Sequence, residues 1–258
     1  MNNPLLPGFH IVIPAHYASQ RFPKKLVADL AGKPLLQWVY ELALKAGAQT
    51  VTVATDHDII YQAAVTFGAS VVMTRNNHKN GTERLAEVAE KSGWHQEEIV
   101  VNVQGDEPFL PTTLIHSAVL ALGQDVESEM ATVACAIDTT EDLFNPNVVK
   151  VVCDDMSRAL YFSRAPMPWD RNGFMEKEKN AALSADFPAF RHIGLYAYRA
   201  SLLAKYVSLP MSPLEQTEKL EQLRFLHQGI KVQVAKADEL PPHGVDTEED
   251  LEALRRLL

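Results

Sequence analysis

The chain has 258 residues, 47% of them hydrophobic and 22% charged, with a formal net charge of -9 at pH 7. Those values fit one large globular domain, or a core with a smaller lobe, and the acidic balance argues against broad nucleic-acid binding. No apolar run reaches the roughly 20 residues of a membrane span, and "MNNPLLPGFH" lacks the features of a signal peptide, so a cytoplasmic protein is expected. Cys135 and Cys153 lie in strand-like runs and read as reduced core residues.

In chain order, "FHIVIPA" reads as a buried strand, and "PLLQWVYELALKAG" as a helix ending at Gly47. "TVTVATD" is a second strand, "DIIYQAAVTFG" a second helix closing at Gly68, and "SVVM" a third strand. "GTERLAEVAEKSG" makes a third helix and "EEIVVNVQ" a fourth strand. This alternation predicts a doubly wound, mostly parallel sheet flanked by helices, with ligands bound beyond the C-terminal ends of its strands. The second half is less regular. "MATVACAI", "VVKVVCD", "ALYFSRA", "RHIGLYAYR" and "KVQVAKA" are strand candidates. In "SPLEQTEKLEQLRFLHQG", Leu214, Thr217, Leu220, Leu223 and Leu226 form one stripe, which predicts a single long helix ending at Gly229. "TEEDLEALRRLL" is a final helix with acids early and arginines late. Residues 167–190 read as a long mobile loop. One α/β domain over 1–258, with a small inserted lobe roughly within 135–200, is therefore expected.

The loop after the first strand carries Arg21, Lys24 and Lys25, and "AGKPLL" then opens a helix. Strand, basic loop and helix N-terminus together supply amides, a favourable dipole and cations, as a phosphate site requires, although a basic loop is also an ordinary solvated surface. "VVNVQGDEP" ends an apolar strand in Gln104-Gly105-Asp106-Glu107. Asp106 there is either a turn residue or an oxygen ligand for Mg²⁺. Asp246 either caps the last helix or, if the C-terminal segment folds back beside Asp106, joins it as a second ligand. Asn80 or Thr82 could cap the third helix beside Gly81. Arg164 and His192 interrupt strand-like runs, where an unpaired polar group is costly. Glu221 and Gln222 fall on the polar side of the expected long helix.

The segments "IPAHYASQRFPKK", "AGKPLLQWVY", "MTRNNHKNGTERLAE", "VNVQGDEP", "FNPNVVKVV", "LYFSRAPMPWDR", "FRHIGLYAYR", "SPLEQTEKLEQLR" and "GVDTEEDL" follow one another over nearly the whole chain. Taken together, the set resembles the 3-deoxy-manno-octulosonate cytidylyltransferases, or CMP-KDO synthetases. The resemblance implies a nucleotidyltransferase-type fold, a homodimer, and a reaction in which CTP and the sugar acid KDO give CMP-KDO and pyrophosphate for lipopolysaccharide synthesis. It implies that Ala15, His16, Arg21, Lys25, Arg75, Asn80, Gly81 and Gln104 meet the nucleotide. By the same likeness Gln104, Arg164, His192, Tyr196, Glu221 and Gln222 hold the sugar acid, Asp106 and Asp246 bind Mg²⁺, and Lys25, Asp106 and Asp246 are catalytic.

Three departures stand out. His16 occupies a position where the family usually has Arg, "PKKL" at residues 23–26 replaces "PGKP", and Asn80 stands where Ser is common. Altered CTP affinity is the expected consequence. Transfer to a related acid, such as sialic acid or an amino-KDO, and a non-catalytic CTP sensor are the alternatives. Neither a membrane nor a nucleic-acid partner is expected.

Overall fold

In chain order the computed structural model contains strand β1 Phe9–Ala15, a short 3-10 helix Lys25–Val27, β2 Asp29–Leu30, β3 Lys33–Pro34, helix α1 Leu35–Lys45, β4 Thr50–Thr55, α2 Asp58–Thr66, β5 Ser70–Met73, α3 Gly81–Ser92 and β6 Ile99–Asn102. There follow α4 Thr112–Gln124, β7 Met130–Ala136, α5 Thr140–Phe144, β8 Lys150–Cys153, β9 Ala159–Ser163, β10 Phe190–Arg199, α6 Ala200–Tyr206, α7 Pro213–Glu218, α8 Gln222–His227, β11 Val232–Ala237 and α9 Glu248–Arg255. The structure describes residues 5–17, 22–171, 173–174, 183–184 and 186–256.

Two compact units divide the chain. The first takes residues 1–119, 195–207 and 241–258, and the second takes 120–194 and 208–240. In the first unit β1 lies between β4 and β6, parallel to both, and β5 extends the sheet beside β4, again in parallel. The C-terminal half of β10 runs antiparallel to β6, with Tyr196 opposite Asn102. Successive residues of a strand point to opposite faces. Ile11, Val12 and Ile13 are all fully buried, so both faces of β1 are covered, which is why its sequence is apolar without alternation. Helix α1 buries Leu35, Leu36, Val39, Tyr40 and Ala43, a stripe at helical spacing. The C-terminal segment belongs to this unit because Val245, Leu251 and Leu254 pack with Leu30 and Leu35.

In the second unit β7 and β11 are parallel, whereas β8 is antiparallel to both β9 and the start of β10. Ile137, Leu143, Val148, Leu183 and Ala189 form a core cluster, with Phe174 and Phe187 packed on it. Most of the expected loop between 174 and 186 lies outside the described residues.

The single long helix expected over residues 212–228 is instead two short ones. Lys219 adopts the left-handed conformation, at φ 55° and ψ 45°, between α7 and α8. The cause is a buried ion pair. Arg224 donates to Glu215 through Nε at 2.8 Å and Nη2 at 2.6 Å. In one continuous helix residues nine apart would be separated by about 13 Å along the axis, so the break is what lets this pair form. Of the expected apolar stripe Leu220 and Leu223 are buried, whereas Leu214 is 38% exposed and Thr217 is exposed too.

A left-handed lysine is strained. Lys219→Gly is therefore expected to hold or raise stability by up to about 1 kcal/mol, while Lys219→Val costs about 1–2 kcal/mol because a branched Cβ fits that region worst. Urea unfolding midpoints check this; a destabilised Gly variant beside an unchanged Val variant would overturn the account.

Candidate active site

The C-terminal ends of β1 and β6 build the first group of candidate residues. Ala15 is the last residue of β1 and is fully buried. His16 follows it, and Arg21 lies outside the described residues. Beyond β6 the chain stays beside β1 for one more residue, with Val103 N donating to Val12 O at 3.1 Å. It then turns at Gln104, whose carbonyl accepts from Glu107 N. The turn needs glycine at position 105. A Cβ there would lie 3.2 Å from Leu26 Cδ2 and 3.3 Å from the Pro14 carbonyl oxygen.

Asp106 leaves this turn toward Lys25. The Lys25 ammonium donates to Asp106 Oδ2 at 2.6 Å and meets Asp246 Oδ1 at 3.5 Å. Asp246 arrives because Val245 N donates to Asp106 O at 2.8 Å, which ties the C-terminal segment to the turn after β6. Helix α9 is capped by Thr247, whose Oγ1 accepts from Asp250 N in a capping box. The fold places Asp246 beside Asp106, the arrangement that a second ligand would require. The Lys25 side chain is buried, whereas those of Asp106 and Asp246 are 30% and 47% exposed. Burial, and then the charge of Asp106, push the neighbouring Glu107 carboxyl up to about 7.

A cavity of about 220 Å³ opens here, lined by His16, Tyr17, Lys24, Lys25, Gln104 and Asp106 among others. Lys24 is exposed and left-handed, at φ 61° and ψ 14°. This is the position at which "PKKL" replaces "PGKP": the conformation suits glycine, and the chain accepts strain there while gaining a cation. His16 Nδ1 lies 2.5 Å from Asp56 Oδ2, which also accepts from Arg84 Nη2 at 3.0 Å. Burial opposes the charged form of Asp56, but the Arg84 charge and the His16 contact outweigh it and hold the carboxyl below its usual range.

Along the rest of this unit, Arg75 is largely exposed and bonds Glu87 through its amide at 3.1 Å and Nε at 3.2 Å. Asn80 does cap α3, accepting from Glu83 N at 2.9 Å, and its Nδ2 donates to Tyr206 Oη at 2.6 Å. Gly81 begins α3 within close approach of Pro14, where a Cβ would stand 3.4 Å from Pro14 Cγ. Tyr196 is half-buried on β10.

The second unit holds the remaining candidates. Arg164 N donates to Glu218 Oε2 at 3.0 Å, its Nε to Glu218 O at 2.8 Å and its Nη1 to Pro146 O at 3.0 Å. His192 Nε2 lies 3.0 Å from Thr132 Oγ1. Burial pushes the imidazole down to about 3, so it is neutral at physiological pH and serves as a hydrogen-bonding group rather than a cation. Glu221 occupies the turn between α7 and α8, and Gln222 opens α8. Contrary to the solvated helix face expected for both, Gln222 is 3% exposed. Its Nε2 is buried without a hydrogen-bond partner, a donor that a ligand oxygen would satisfy.

The cytidylyltransferase family pattern matches residues 10–232. A 3-deoxy-manno-octulosonate cytidylyltransferase from Marinomonas sp. (strain MWYL1) is 75% identical over 99% of this chain and 97% of its own length. One of the same description from Aliivibrio fischeri (strain MJ11) is 52% identical over 97% and 99% of the two chains. Among solved structures, a CMP:2-keto-3-deoxy-manno-octonic acid synthetase complexed with CTP superposes with a TM-score of 0.86 at 41% identity, covering 97% of this chain and 98% of that one. Matched along almost its whole length at these identities, the chain belongs to the 3-deoxy-manno-octulosonate cytidylyltransferase family.

Proposed function

We propose that this chain condenses CTP with KDO, giving CMP-KDO and pyrophosphate, and that the cluster of Lys25, Asp106 and Asp246 is its catalytic centre. The observation that carries the reading is the convergence of two carboxylates on one buried ammonium beside the cavity at the ends of β1 and β6. Open α/β sheets bind ligands at such strand ends.

The anomeric hydroxyl oxygen of KDO bonds to the α-phosphorus of CTP and gives up its proton to solvent, while the bond from that phosphorus to the oxygen bridging it to the β-phosphorus breaks, that oxygen leaving as a terminal oxygen of pyrophosphate. Both substrates are anions, so charge neutralisation and positioning dominate the catalysis. Lys24 and Lys25 supply cations at the cavity for the triphosphate, and Arg21 is proposed to join them. His16, Arg75, Asn80, Gly81 and Gln104 would bind the nucleotide. In the second unit Arg164 would take the sugar carboxylate. The neutral His192 would offer a hydrogen bond, with Glu221 and Gln222 meeting the hydroxyl groups. Tyr196 and Gln104 complete the sugar-binding assignment.

Asp106 and Asp246 fit a magnesium site, because a single positive charge already stands within reach of both carboxylates and both remain partly open to solvent. When bound there, Mg²⁺ would supply charge neutralisation at the phosphate and acidify the attacking hydroxyl. A cytoplasmic home is supported by the two free cysteines. A homodimer is part of the proposal, as the family likeness implies. No described helix is long and apolar enough to cross a membrane.

Pyrophosphate release from CTP and Mg²⁺, with KDO, sialic acid and no sugar in parallel, tests the reading directly. Release with KDO alone, lost on chelation, is expected. Release only with another acid would replace the substrate, and tight CTP binding without release would make the chain a sensor.

Asp106→Asn is expected to lower kcat by about a hundredfold or more while urea stability moves by less than about 1 kcal/mol. Near-normal turnover would overturn the assignment.

At Lys24 strain and charge can be separated. Lys24→Ala and Lys24→Gly should both raise the KM for CTP by about two- to fivefold, as loss of one exposed cation predicts, but only the glycine should also gain stability. An unchanged KM in both would remove Lys24 from the phosphate site.

A further inference from the structure

Lys150 is a charged residue with no role in the chemistry above, yet it is fully buried. Its ammonium donates to three main-chain carbonyls, Val148 O at 2.6 Å, Arg164 O at 2.7 Å and Asn145 O at 2.9 Å. A buried ammonium is tolerated only when its donors are met, and here all three are. The acceptors are not a random set. Asn145 and Val148 flank Pro146, whose carbonyl accepts from Arg164 Nη1, while Arg164 O belongs to the residue that carries the guanidinium. Lys150 therefore grips Arg164 at both ends, holding its main chain directly and its guanidinium through the turn that contains Pro146. Glu218 completes the clamp by accepting from Arg164 N and Nε and from Ser163 Oγ.

We propose that Lys150 is a positioning residue for recognition of the sugar-acid carboxylate, setting the direction in which the Arg164 guanidinium projects. The proposal rests on the reading of Arg164 as the carboxylate partner. A guanidinium discriminates a carboxylate by the fork geometry of its N–H groups, so a loosened root loses affinity without losing charge.

Burial pushes the Lys150 ammonium down to about 8, with Arg164 adding to that effect and Glu218 and Asp142 opposing it. These are the charged groups that face it: Asp142 from α5, Glu218 from α7 and Arg164 beyond β9. A neutral amine keeps two N–H groups for three carbonyls, so the clamp slackens as pH rises through that range.

Steady-state kinetics with KDO and CTP test the proposal. Lys150→Met should raise the KM for KDO by about tenfold or more, with the KM for CTP within about twofold of wild type. Lys150→Gln, which can serve two of the carbonyls, should fall between. If Lys150 acts through Arg164, Lys150→Met combined with Arg164→Met has the sugar KM of Arg164→Met alone. Lowered stability with an unchanged sugar KM, or penalties that multiply in the double variant, would overturn the proposal. Arg164→Met with an unchanged sugar KM would instead sink the reading of Arg164. Should the variants fail to fold, the wild-type enzyme still decides: its KM for KDO should rise between pH 7 and 9 while that for CTP stays flat, and a flat sugar KM would overturn the proposal.

Discussion

Two carboxylates held around one ammonium are the constraint on which the first unit turns. Lys25, Asp106 and Asp246 are far apart in the chain, the second 81 positions and the third 221 positions after the first. Bringing Asp106 and Asp246 together without a cation would set like charges side by side, and burying Lys25 without anions would strand a charge. Each group is tolerable only in the presence of the others. The two carboxylates and one ammonium leave the cluster with one negative charge in excess, a balance that favours further cation binding. The same chemistry that closes the fold at this point therefore agrees with the metal proposed for it.

The scaffold around the cluster is arranged to make that meeting possible. Parallel strands put their C-terminal ends at one edge, so the loops after β1 and β6 are neighbours as a consequence of the pairing. Gly105 lets the second loop pass against Pro14 and Leu26. The hydrogen bond from Val245 to Asp106 O, with the burial of Leu251 and Leu254, brings the C-terminal segment to the same edge. The 3-10 helix after β1, the turn after β6 and the segment before α9 each contribute one side chain.

The strands and helices of the first half were legible because burial on both faces writes continuous β-branched runs and one-sided burial writes a helical stripe. The pairing of Asp246 with Asp106 was not, since it depends on a contact across most of the chain. Helix α4 was missed although Leu114, Ile115, Ala118, Val119 and Leu122, all buried, carry its spacing. The opposite error lies at α7 and α8, where an apparent apolar stripe, buried only at Leu220 and Leu223, conceals a break that accompanies the pairing of Glu215 with Arg224. Periodicity reports which residues are buried. It does not report the polar pairs that fix where an element stops. Lys150 is illegible for a related reason: nothing in the strand candidate "VVKVVCD" marks its lysine as enclosed, and the turn at 145–148 shows that it is.

The candidate sugar-binding residues divide their work by charge. With His192 neutral and Glu218 already accepting from Ser163 and Arg164, the positive charge among the assigned residues of the second unit rests on Arg164. Two of its nitrogens are committed to the carbonyls of Glu218 and Pro146. A guanidinium held in this way has little freedom to follow a misplaced anion, so selectivity among sugar acids depends on its orientation more than on its charge. That orientation is set by main-chain carbonyls, with the Glu218 carboxylate holding the Arg164 amide. Lys150 holds the turn that carries the Pro146 carbonyl and the main chain of Arg164 itself, so on this reading the specificity of the second unit would be anchored one layer behind the groups that would touch the sugar.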